Sequence, residues 1–322
     1  MTLSHHDNRE LEAARERRAE LAERRARFEP PTDEQVRMET DSRKNPMNYH
    51  SDYAAVSRSM LMTLKRSPRL YHELYIARTR QPEPPTEAMV RGIRFDNLLL
   101  DPRSYRAKYA ISPANGPNGE PWDRRRKEHK AAWEAWCSEN VGKEPITAAE
   151  HNELLVMVGG ALRHSEIDRI CTAEGSIQHR LDWHDPIKGI PCKGLADKLF
   201  AGDDLIVDIK TAADPSPEAF QRAVANFGYH IQAAFYSLGY RINFGEQPRF
   251  LFCVVGSKPP YDSAVYELDD AAIGAGESEA EFLLNKLTEL HNTNDWQPSW
   301  GRGVITLELP RWHDPYKSEI FE

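Results

Sequence analysis

Asp208 and Lys210 stand two residues apart at the end of the apolar run Leu205-Ile206-Val207. In an extended strand, residues two apart project to the same face. This carboxylate and this ammonium then sit side by side, while Leu205, Val207 and Ile209 face a core. Neither charge is buried cheaply, so the pair either closes a salt bridge at a strand end or serves a chemical purpose. Asp197 ends the preceding segment, Lys193-Gly194-Leu195-Ala196-Asp197. Paired strands lie ~4.8 Å apart, close enough for carboxylates on neighbouring strands to grip one divalent ion. Hard oxygen ligands of this kind suit Mg2+, with Mn2+ as the alternative; such an ion acidifies a bound water and neutralises charge growing on a phosphate. A lysine beside it orients the water and stabilises the transition state. The chemistry indicated is phosphodiester hydrolysis, with Asp197 and Asp208 as ligands and Lys210 as the water-orienting group. An acidic-x-Lys triplet carries little information alone, since Glu128-His129-Lys130 also fits it.

The elements that must position these groups follow from periodicity. Segments near 174–183, 193–200 and 204–211 are short, punctuated by Pro186, Gly189, Pro191 and Gly202, and read as adjacent strands of a meander. Upstream, the spacing predicts a helix from Ser57 to Ser67-Pro68 and another from a Thr86 cap to Asp101-Pro102. A third carries Trp133 and Trp136, and a fourth runs from the capping box Thr147-Ala148-Ala149-Glu150 to about Arg163. Downstream come helical spacing over 216–240, broken at Asn226-Phe227-Gly228, strands over 249–255 and 263–268, and a last helix over 277–291. Helices, then a meander, then helix and strand indicate one α/β domain. Residues 8–28 alternate Arg and Glu with Ala and Leu before Pro30-Pro31, the pattern of a solvated helix. Residues 1–45 are therefore expected to be a charged, helical or flexible extension, and residues 46–322 a single domain.

The order Gly194-Leu195-Ala196-Asp197, Asp208-Ile209-Lys210-Thr211, then Tyr229-His230-Ile231-Gln232 with Tyr236 resembles the PD-(D/E)XK nucleases. More narrowly, it resembles the exonuclease VIII (RecE-type) group of phage recombination exonucleases. Ser57-x-Ser59 with Ser67-Pro68, Glu174-x-Ser176-Ile177, Cys192-Lys193-Gly194, Lys258-Pro259-Pro260-Tyr261 and Leu309-Pro310-x-Trp312 extend the likeness over most of 49–315. The resemblance implies a restriction-endonuclease-like core, a central mixed sheet flanked by helices. It implies metal binding by Asp197, Asp208 and the backbone carbonyl of Ile209, catalysis by Lys210, and a further acid, Glu174, on the first strand. Gln232 and Tyr236 match the glutamine–tyrosine motif of this branch, which contacts the DNA backbone or braces the metal site; for Tyr236 a polar packing role is the rival reading. His230 is expected to be structural. Where the family's early helix carries Gly-x-x-x-His, this chain has Gly92-Ile93-Arg94-Phe95-Asp96. Asp96 is thus an expected metal ligand, since a carboxylate is a competent ligand for magnesium; the same departure could mark a weakened enzyme. Arg124, Arg125 and Arg126, followed by Lys127, fall where the family has an arginine-bearing segment and are read as phosphate contacts. A solvated helix start is the alternative.

The implied activity is degradation of linear double-stranded DNA from its ends, 5′ to 3′, for phage-type recombination. The implied partners are duplex DNA ends, a single-strand annealing protein and further copies in a ring. An endonuclease of restriction or repair type and a catalytically weakened DNA-binding protein are the rival readings. Composition is compatible with all three. With 40% hydrophobic and 29% charged residues the chain is globular. Its net charge of −8 argues against coating nucleic acid through bulk charge, but clustered metal-binding acids raise the acidic count of any nuclease. The four cysteines form no Cys-x-x-Cys pair, which argues against zinc or iron–sulfur sites. No apolar run reaches the ~20 residues of a membrane span and no secretion signal is legible, so a cytoplasmic protein with no membrane partner is expected.

Overall fold

The computed structural model describes residue 49 and residues 51–123 and 125–309; the extension expected over 1–45 lies outside them. By its contacts the chain divides into two compact units, one of residues up to 58 and 84–280, the other of residues 59–83 and from 281 on.

The first unit is built on a six-stranded mixed sheet in the order β1-β5-β6-β7-β8, with β4 also paired to β5. The strands are β1 (Val56–Ser57), β4 (Ser176–His184), β5 (Pro191–Phe200), β6 (Leu205–Ala212), β7 (Arg249–Gly256) and β8 (Ser263–Glu267). β4, β5 and β6 form the antiparallel meander, β7 joins β6 in parallel, and β8 closes the sheet antiparallel to β7. β2 (Tyr109–Ser112) and β3 (Glu144–Thr147) make a separate parallel pair that the sequence reading did not find. One sheet face presents Leu205, Val207, Ile209, Leu251, Cys253 and Val255 to the main core with Phe95, Leu98, Leu154, Met157, Ile167 and Ile170. The last six lie on α3 (Glu87–Leu100), α6 (Ala148–Ala161) and α7 (Ser165–Thr172). The opposite face carries α9 (Tyr229–Phe244), which contacts β4, β5 and β7. The mixed sheet flanked by helices is the expected fold class.

Several helix boundaries have legible causes. Thr86 Oγ1 accepts from Met89 N at 3.3 Å to start α3. Thr147 Oγ1 accepts from Glu150 N at 3.1 Å to start α6, but the box is not reciprocal, because Glu150 instead takes Arg94 Nη1 at 2.7 Å. α8 (Pro217–Phe227) and α9 are separated by Gly228 at φ 65°, where the sequence indicated a break. α10 (Asp270–Thr293) begins seven residues earlier than the 277 expected. Asp269 caps it, with Ala272 N donating at 2.8 Å, and packing requires glycine at position 276 in its second turn. A Cβ on Gly276 would lie 2.2 Å from the His230 carbonyl oxygen. In the second unit, Ser67 ends α1 (Arg58–Arg66) and caps α2 (Pro68–Tyr71), with Leu70 N donating to its hydroxyl at 3.2 Å. Trp296 centres that unit, stacked on Tyr71 at 6.0 Å and flanked by His72 and His291 at 5.1 Å. Among the described residues all four cysteines are free, and no helix is long and apolar enough to cross a membrane.

Candidate active site

The site forms in a gap along one edge of β5. β4 pairs along nearly the whole of β5 from one side. The other edge is shared: β1 takes Cys192 and Lys193, β6 takes Lys198 to Phe200, and residues 194–197 between them have no strand partner. Backbone groups in such a gap need other partners. Asp197 supplies one, its Oδ2 accepting from Ile209 N at 2.8 Å, while its Oδ1 accepts from Gln178 Nε2 at 3.2 Å. The β5–β6 register ends at Lys198 against Val207, so Asp197 faces Asp208 at the next step, as expected. An extended residue projects its N–H and C=O to the same side. The Ile209 carbonyl therefore faces this gap with its amide.

Asp208 and Lys210 share the sheet face that carries α9. Gln232 Nε2 donates to Asp208 Oδ1, and Lys210 Nζ forms an ion pair with Asp208 Oδ2. Lys210 Nζ also lies 4.8 Å from the centre of the Tyr229 ring. One turn beyond Gln232, the buried Tyr236 packs its ring on Gly194, where a Cβ would come within 2.9 Å of two ring carbons. Its hydroxyl bonds that of Tyr49 and faces the Leu195 amide. Glycine in Gly194-Leu195-Ala196-Asp197 is thus the space for Tyr236. Gly194→Ala is expected to lower unfolding stability by about 1–3 kcal/mol through overpacking, read as a shift in the urea midpoint at unchanged slope. Asp96 enters from α3, held close because Gly92, one turn earlier, sits against Thr211, with a Cβ 3.4 Å from its Oγ1. Asp96 Oδ1 is buried with no hydrogen-bond partner.

Electrostatically the acids are crowded. Burial first, then Asp197, push the Asp96 carboxyl well above the usual range, with Lys210 opposing. Burial and Asp208 push Asp197 up to about 7, against the pull of Lys210 and the hydrogen bonds from Ile209 and Gln178. Burial would depress the Lys210 ammonium, but Asp208 and Asp197 outweigh it and hold it up at about 12. Carboxylates gathered beyond what the local cation balances, with a buried oxygen of Asp96 and one of Asp208 lacking a hydrogen-bond partner, are a donor set for a hard divalent ion. Asp96, Asp197, Asp208 and the Ile209 carbonyl would hold it. Among the described residues no three His, Cys, Asp or Glu side chains already stand at ion-holding spacing. Asp197 engages Gln178 and Ile209, and Asp208 engages Gln232 and Lys210. Ion capture would exchange some of those bonds.

The remaining expected residues lie elsewhere. Glu174 is exposed and precedes β4 rather than lying on it; the β4 side chain at the acids is Gln178, whose φ of 49° marks a local irregularity opposite Asp197. Arg124 lies outside the described residues. Arg125 donates to Asp123 at 2.8 Å, and Arg126 pairs with Glu120, all within one exposed loop. His230 ties α9 to Val224 O at 3.2 Å and to Glu279 at 3.1 Å, a structural role as expected. Sequence reasoning missed Gln178, Tyr229 and Arg58. Gln178 adjoins a quoted motif, and Tyr229 and Arg58 stand inside quoted motifs without a role assigned to them; nothing in the residue pattern separates Arg58 from the chain's other arginines.

No curated protein matches the chain by sequence. A solved structure from Eubacterium rectale bearing an exonuclease designation shares the fold, with a TM-score of 0.53 at 14% identity over 82% of this chain and 93% of that one. A second, SSO0001, aligns at a TM-score of 0.24 and 16% identity over 39% of this chain and 59% of its own, and carries no argument. The family described as PDDEXK-like domain of unknown function (DUF3799) matches residues 57–302, and the chain belongs to it.

Proposed function

We propose that the chain is a metal-dependent exodeoxyribonuclease acting on linear double-stranded DNA. The observation that carries this reading is the meeting of Asp96, Asp197 and Asp208 with Lys210 in the unpaired gap of β5. Lys210 stays charged at neutral pH and is placed by Asp208 and the Tyr229 ring to hold an attacking water and stabilise charge on the phosphate. Gln232 fixes the orientation of Asp208 from α9. A bound Mg2+ or Mn2+ would supply the acidification of water and the neutralisation of phosphate charge. Digestion from ends, 5′ to 3′ polarity, a place in phage-type recombination, a ring of copies, an annealing partner and a cytoplasmic setting rest on the resemblance to the exonuclease VIII group. Arg125 and Arg126 become phosphate contacts if DNA displaces Asp123 and Glu120 from them.

The test is incubation of the full chain with linear and covalently closed circular duplex DNA in Mg2+, Mn2+ or EDTA. Linear DNA is expected to be degraded in either metal, with circles untouched and EDTA arresting the reaction. Cleavage of circles would replace the exonuclease with an endonuclease. Tight DNA binding without cleavage in either metal would favour the weakened DNA-binding protein, for which Asp96 in place of the family's histidine is the specific observation.

A further inference from the structure

Arg58 follows Ser57 directly at the end of β1, the strand that bounds one end of the β5 gap. β1 runs parallel to β5, so the chain leaves Ser57 in the direction of residues 194–197. The guanidinium carbon lies 5.8 Å from the centre of the Tyr229 ring, the ring that also holds Lys210 Nζ at 4.8 Å. Its charge is felt by Tyr236, Tyr229 and Asp208, all groups of the site. Its Nε and Nη2 are nevertheless buried without any hydrogen-bond partner. A desolvated guanidinium with open donors is unfavourable for the fold, and stacking on Tyr229 satisfies none of its N–H groups. Asp208, the acid whose charge acts on it, accepts from Gln232 on one oxygen and is ion-paired with Lys210 on the other. The unmet need is for an oxyanion, and a planar fork of donors fits the oxygens of a phosphate.

We propose that Arg58 is a phosphate-binding residue of this site, donating to a non-bridging oxygen of the phosphodiester to be cut. The assignment rests on the nuclease reading and deepens it. Charge favours it: three carboxylates with Lys210 and Arg58 leave one negative charge, and a divalent ion would turn that into one positive charge. A phosphodiester monoanion neutralises the remainder. Arg58, at the start of α1, and Lys210, on β6, both approach the Tyr229 ring and so present their charges to one phosphate.

The experiment compares the full chain with Arg58→Met and Arg58→Lys in two measurements. Turnover of linear duplex in Mg2+ is expected to fall by about a hundredfold or more in kcat for Arg58→Met, with KM changed by less than about threefold. Arg58→Lys should recover part of that rate. Binding of a short linear duplex in EDTA, followed by fluorescence anisotropy against salt, should lose about one unit of the slope of log K on log salt in Arg58→Met and keep it in Arg58→Lys. The thermal midpoint of Arg58→Met should be unchanged or higher, because no protein hydrogen bond is lost. Either an unchanged salt slope or a kcat within about threefold of the parent overturns the proposal. If the parent chain cuts nothing in any metal, the nuclease reading fails, and the salt slope alone still decides whether Arg58 takes a phosphate.

Discussion

Lys210→Ala is expected to abolish most of the cleavage of linear duplex, lowering kcat by about two to three orders of magnitude in saturating Mg2+ while duplex binding persists. Lys210 is the cation that the crowded acids hold up at about 12, so it remains charged across the working pH range. Its loss removes both the ammonium beside the phosphate and the counter-charge of Asp208. The variant should therefore also be less stable, most of all at alkaline pH, where protons cannot replace the missing cation. Asp208→Asn separates the two effects. It should lose cleavage as completely, since a metal-binding carboxylate is gone, yet lose less stability than Lys210→Ala, because neutralising Asp208 relieves Asp197 and Asp96 while it costs Lys210 its ion-pair partner. Circular dichroism at pH 6 would show whether each variant is folded before its rate is read. A Lys210→Ala protein that is folded and still cuts within about tenfold of the parent would remove Lys210 from the chemistry.

The central strand pair was legible because its signals are local. Alternation in 205–210 dictates which of Asp208 and Ile209 faces the core, and the structure places Ile209 in the core cluster and Asp208 against α9. The break at Gly228 and the caps at Thr86 and Thr147 were legible for the same reason. What was not legible depends on pairing between distant segments. Nothing in Val56-Ser57 alone announces a two-residue strand; it exists because β5 offers an edge at Cys192 and Lys193. The gap that results is a property of register, and with it the placing of Arg58 and Gln178. Glu174 was assigned to the first strand because its motif adjoins that strand; the ladder starts only at Ser176, and Gln178 is the side chain that reaches Asp197. The buried Lys193 and Lys198 follow the same rule. They resemble surface lysines in sequence, yet Lys193 holds the carbonyls of Tyr49 and Asp52, and Lys198 caps α7 through Ile170 and Ala173 at 2.7 Å.

Without metal, the Asp197 and Asp96 carboxyls are expected to withdraw stability as pH rises from about 4 to 7, against the gain from hydrogen-bonded carboxylates such as Asp52 and Asp101. Asp197 titrates near 3.8 when unfolded and about 7 when folded, because burial and Asp208 oppose its ionisation. The folded state therefore holds a proton that the unfolded state has released. Stability from this group is fully present below about pH 4 and is lost as pH climbs through the folded value, by up to about 4 kcal/mol. Asp96 acts in the same direction, since it too is held well above its usual value by burial and by Asp197. A divalent ion binds the deprotonated acids, so its stabilising effect must grow over the same window. The rise in thermal midpoint on adding Mg2+ should accordingly be small near pH 5 and large near pH 8. Asp96→Asn should flatten the metal-free profile and shrink the metal-induced rise, while leaving the apolar face of α3 and its packing intact. Thermal melts across this range, with and without Mg2+, decide the matter. An Asp96→Asn protein that keeps the parent's metal-free pH profile, or a Mg2+ effect equal at both ends, would mean that Asp96 and Asp197 do not share an ion site.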